Sequence, residues 1–165
     1  MIRSALAMAM ALALAACSPP APETTTAKSD TPAASQTEEA AHVNPLLTAS
    51  TLPMQAPPFD KIQDGDYQPA IEQGMKDHLV EIEAIANSTE APTFANTIEA
   101  MEKTGALLDR SARTFFAIVQ ANTNDTLQAA QVELAPKLAE HTDAIYLNDK
   151  LFQRVKSIYD ARANN

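Results

Sequence analysis

Cysteine occurs once in these 165 residues, at Cys17, so no intrachain disulfide can staple the fold. Glycine occurs three times and tryptophan not at all, in a chain rich in Ala, Leu and Glu, a balance that favours helix over sheet. Basic residues are scarce: 12 Lys and Arg stand against 21 Asp and Glu, a formal charge of -9. That charge excludes nucleic acid as a partner, because phosphate binding needs clustered Lys and Arg. It equally excludes charge-driven docking on anionic lipid headgroups. The apolar stretch from Ala5 to Ala13 is too short to span a bilayer. Absent as well are HExxH, GxSxG, a phosphate-cradling glycine loop and a dinucleotide fingerprint, so no complete catalytic site is visible.

What is present begins with an address. Met1, Ile2 and Arg3 make a short positive start, and Arg3 is the only charged side chain before the cysteine. The apolar stretch that follows ends in Leu14-Ala15-Ala16-Cys17, which resembles the lipobox of bacterial lipoproteins. The resemblance implies cleavage before Cys17 and lipid attachment to its thiol, with residues 1–16 as signal peptide. Three acyl chains would hold far more firmly than the marginal grip of one. Ser18, rather than Asp, after the cysteine implies passage to the outer membrane, facing the periplasm. An ordinary signal peptide with a chance cysteine is the competing reading.

Residues 17–43 read as a lipidated cysteine and a disordered tether of Pro, Thr, Ser, Ala and Glu, too poor in large apolar groups to offset ordering entropy. About 24 such residues reach on the order of 25–30 Å. Residues 44–65 differ. Leu46, Leu47, Leu52, Met54, Phe59 and Ile62 are interspersed with prolines at 45, 53, 57 and 58. Proline blocks helix and central strand alike, so an extended arm packed across helices is expected.

Residues 66–165 predict an all-α domain of four antiparallel helices. The first runs from Asp66, as N-cap, to about Asn87, with Pro69 in its first turn and a stripe of Ile71, Met75, Leu79, Ile82 and Ile85. The second runs from the cap Thr93 to about Ala121. Its seam of Phe94, Ile98, Met101, Gly105, Leu108, Ala112, Phe115 and Val119 steps alternately by four and three. Gly105 on that seam predicts close helix contact. The third runs from Asn124 or Asp125 to Tyr146, with a kink or break expected at Pro136. Asn148 caps a fourth, from Asp149 to about Ala163. Glu72 with Lys76, Glu99 with Lys103 and Asp109 with Arg113 are i,i+4 pairs.

Candidate chemistry is sparse. His42, His78 and His141 are never within five positions of one another, so they read as unrelated helix-surface or loop residues and not as zinc ligands. Asp60, Asp64 and Asp66 lie near Gly65, but the spacing does not fit an EF-hand loop and the closing Glu is missing; a capped turn is the better reading. Asn87-Ser88-Thr89 and Asn124-Asp125-Thr126 match the glycosylation sequon and read as turn and cap residues. No catalytic, cofactor or metal residue is assigned.

The stretches NPLLTASTLPMQAPPFDKI (44–62), DYQPAIEQGM (66–75), PTFANTIEAMEKTGALLDR (92–110), ANTNDTLQ (121–128) and APKLAEHTDAIYLNDKLFQRVKSIYD (135–160) together resemble the amino-terminal region of bacterial peptidyl-dipeptidases, zinc metallopeptidases of the thimet-oligopeptidase and oligopeptidase A family. The resemblance implies a piece of a larger helical shell around a channel that admits short peptides. It implies zinc in the full-length family, held by HExxH and a downstream Glu in a carboxyl-terminal region with no counterpart here. It also implies that the chain alone binds no zinc and is inert. As part of a wall, one residue each of Phe115/Phe116 and Ile118/Val119 is expected to face that missing region. The alternative is a non-catalytic helical lipoprotein that binds a protein or peptide.

Overall fold

The computed structural model describes residues 42–162. The signal peptide, Cys17 and nearly all of the tether lie outside the described residues. Proline shapes the first part. Short 3-10 turns at Pro45–Leu47, Pro53–Gln55 and Asp64–Asp66 are joined by irregular stretches. Asn44 closes the first turn by accepting the Leu46 N–H at 2.9 Å, and its amide donates to the Asp66 carbonyl at 2.8 Å. Leu46 is buried in the core and Ile62 packs against it. Arg110 fastens this segment by donating to the carbonyls of Leu46 (3.2 Å) and Leu47 (3.1 Å). The other apolar residues expected to pack do not: Leu47, Leu52, Met54 and Phe59 are exposed, Met54 fully.

The rest is helical, with no strand among the described residues. The all-α reading therefore holds. The elements are α1 (Tyr67–Ala86), a π-helical turn (Phe94–Glu99) running into the short α2 (Ala100–Glu102), α3 (Ala106–Ala121), α4 (Asp125–Tyr146) and α5 (Asp149–Ala161). Caps fix most of their starts. Asn124 accepts the Leu127 N–H and Asn148 the Leu151 N–H, each at 3.0 Å. Thr93 and Asn96 bond reciprocally, Asn standing where Glu or Gln usually completes a capping box. Asp66 does not cap α1 as expected. Its backbone is already helical, and its carboxylate turns back to accept the Gln63 N–H at 2.8 Å.

The expected second helix is not continuous. It stops after Glu102 and restarts at Ala106. Gly105 stands between with φ 74°, in the left-handed region open to glycine. The freed carbonyls are satisfied locally: Lys103 and Thr104 donate back to Ala100 and Met101. The Gly105 N–H finds the Glu81 carboxylate at 2.7 Å. In the opposite sense, α4 runs through Pro136 as one helical span; of the kink or break expected there, the break does not occur.

α1 is the central element and meets α3 most extensively, then α4 and α5. Close approach to α3 is made possible by Gly74, where a Cβ would lie 2.6 Å from the Leu108 nitrogen. Two apolar cores lie along α1. One holds Tyr67, Ala70, Ile71 and Met75 with Phe115, Leu127 and Leu134; the other holds Ile82 and Ala86 with Leu151. Phe115 is fully buried while Phe116 is half-buried, and both Ile118 and Val119 are half-buried. Phe116, Ile118 and Val119 all pack against the first core.

Candidate functional site

Between Met75 of the first core and Ile82 of the second, α1 carries His78. His78 sits on the same stripe as they do, at steps of three and four. On α4, His141 occupies the equivalent place between Leu138 and Ile145. The packing brings these two rings together, with centroids 5.0 Å apart and His78 Nδ1 3.1 Å from His141 Nε2. Reading them as unrelated surface or loop residues is therefore corrected. They are 63 positions apart in sequence, and His141 is buried.

The hydrogen-bond network assigns the protons. The Thr104 hydroxyl donates to the Met101 carbonyl at 2.7 Å, so toward His78 it accepts. His78 Nε2, 3.0 Å away, is then the donor. A neutral His78 therefore offers a lone pair at Nδ1, and His141 Nε2–H donates to it. The fourth nitrogen, His141 Nδ1, is buried with no partner. Burial pushes both imidazoles below the ordinary histidine value; a nearby Glu81 opposes this at His78, and His78 reinforces it at His141. Both rings are thus neutral near pH 7. Gly105 shelters the pair, since a Cβ there would lie 2.9 Å from His78 Nδ1. Close contact was expected of Gly105, but against a helix seam; here it faces an imidazole at a helix break.

The other polar residues serve the fold. His42 Nε2 lies 2.8 Å from the Asp66 carboxylate, at the start of α1. Asp64 accepts from the Asn124 amide at 2.7 Å. Asn87 ends α1, and Lys150 donates to its side chain at 2.5 Å. Glu72 pairs with Lys137 across the α1–α4 contact, where Lys76 was expected; that bond, then Gln68, lowers the Glu72 pKa. Glu99–Lys103 and Asp109–Arg113 form as expected, at 2.7 and 2.6 Å. Sequence reasoning missed Arg154. It is buried, and it donates to the Ser88 and Glu90 carbonyls and to the Asn96 side chain at 3.0, 3.0 and 3.1 Å.

Among the described residues no three His, Cys, Asp or Glu side chains converge as a metal-holding group. The histidine pair does not fit zinc either. Two of its nitrogens face each other, a third is bonded to Thr104, and the fourth is sealed off. A tetrahedral site needs three or four lone pairs aimed at one point.

The described residues thus form an all-helical domain whose most distinctive interior feature is a neutral imidazole pair. No protein-family model matches it. Two curated proteins are similar over most of its length: the dipeptidyl carboxypeptidase of Salmonella typhimurium (strain LT2), 48% identical over 119 residues, and that of Escherichia coli (strain K12), 45% identical over 120. These alignments take in 72% and 73% of this chain but 18% of each relative. The similarity is to proteins named as dipeptidyl carboxypeptidases, and the chain spans under a fifth of their length.

Proposed function

We propose that these 165 residues are the amino-terminal, channel-wall portion of a lipid-anchored zinc metallopeptidase of peptidyl-dipeptidase type. The similarity to two dipeptidyl carboxypeptidases, 48% and 45% identical, carries this reading. Identity that high over a region that long supports common descent. The wall helices limit access to short peptides. The zinc ligands and the general base belong to a carboxyl-terminal region outside this sequence, where zinc would polarise the scissile carbonyl and activate water. This portion contributes shape and surface, and by itself it is inert.

The anchor is part of the proposal. Cys17 carries the lipid and residues 1–16 are removed. The mature protein is held at the outer membrane, on its periplasmic side, by the tether before residue 44. The residues Leu14-Ala15-Ala16-Cys17 support this reading. The DNA that continues past Asn165 tests the enzymatic half. A reading frame encoding HExxH with a downstream Glu is expected; its absence from all frames there would leave a non-catalytic binding lipoprotein as the better reading.

A further inference from the structure

His141, whose Nδ1 is buried without a partner, also lines an open volume. A cavity of about 490 Å³ between α1 and α4 is lined by His141 together with Glu72, Lys76, Lys137 and Glu140. On its other side the pair faces a second cavity, lined by His78 with Asp109 and Arg113 of α3. Glu81 approaches from α1 through its bond to the Gly105 N–H. No α5 side chain is among the residues lining either cavity.

Of the four ring nitrogens, three are already engaged in hydrogen bonds that have one proton each. An added proton can enter without breaking a bond only at His141 Nδ1. There it makes a buried N–H with no acceptor, an arrangement that costs more than the neutral lone pair it replaces. Relief lies toward the cavity, where Glu72 and Glu140 offer carboxylate oxygens to an imidazolium. Lys137, already bonded to Glu72, favours Glu140 as the main acceptor.

We propose that His141 is a proton-operated latch: neutral, it is held inside against His78, and protonated, it turns into the Glu72–Glu140 cavity and loosens the seat of α4 on α1. The site is a proton-binding one, and its effect is conformational. It does not depend on the peptidase reading.

Imidazole-resolved NMR of the full chain, titrated from about pH 8 to about pH 5, tests this. At the upper end both rings are expected as neutral Nε2–H tautomers with cross-peaks between them. As His141 takes a proton at Nδ1, those cross-peaks disappear, and amide protection factors at the α4 face toward α1, taken against the intrinsic exchange rate at each pH, fall by up to about tenfold per pH unit, the linkage for one proton. In Glu140→Gln the turn-out is weakened, so His141 protonates at lower pH than in the parent. Ring cross-peaks that persist after His141 is protonated would overturn the latch, as would an unchanged His141 titration in Glu140→Gln.

Discussion

Gly74 lacks a side chain because Leu108 leaves no room for one: a Cβ would meet backbone atoms at 2.6 and 2.7 Å, which cannot rotate away. Gly74→Ala is therefore expected to cost about 1–3 kcal/mol in urea unfolding. Gly65 has open space around it and no positive φ. Gly65→Ala should instead stabilise by about 0.4–1 kcal/mol through the unfolded chain. The histidines set a pH dependence. Both are shifted below the ordinary value of 6.5, so from 6.5 downward the unfolded chain binds more protons. Their contribution is complete above that value and is lost as pH falls below it. Thermal melting between about pH 7.5 and pH 5.5 should show the decline, in a window above that of the Glu72 and Glu99 carboxylates, and replacing both histidines by Gln should flatten it. Position along each helix was a readable signal for this site, because His78 and His141 both fall on apolar stripes. Which stripe meets which is a tertiary fact that spacing within one chain segment does not contain.

Among the elements, those with a side-chain cap were legible. Thr93, Asn124 and Asn148 each name a helix start, and each accepts the N–H expected of it. The expected second helix misled because Met101, Gly105 and Leu108 keep the same steps whether or not the helix breaks between them. The informative residues were Thr104 and Gly105: a hydroxyl able to bond the Met101 carbonyl, then a residue free to turn left-handed. The connection between α1 and the π-helical turn is held from afar by Arg154. Arg154→Leu takes the donor from the Ser88 and Glu90 carbonyls, and should cost about 1–3 kcal/mol with faster hydrogen exchange across residues 88–99. The arm was only half legible. Proline and apolar content foretold irregular, packed chain, yet only Leu46 and Ile62 reach the core while Met54 stays in solvent.

At the scale of the whole molecule, 121 described residues make two small cores along one helix and carry no metal-holding group. On the proposed reading, shape rather than chemistry is what this portion supplies. On the proposed reading its place in the cell also rests on Cys17, and Cys17→Ser is then expected to move the protein from the membrane fraction to the soluble periplasm and abolish labelling by radioactive fatty acid. On that reading this portion neither cages a metal nor activates water, and among the described residues no metal-holding group is present. Zinc content and dipeptide release, measured together on the purified full chain supplied with zinc, test it most directly. No stoichiometric zinc and no hydrolysis of short peptides are expected; one tightly held zinc per chain, with cleavage that a chelator stops, would overturn the reading of this portion as a non-catalytic wall.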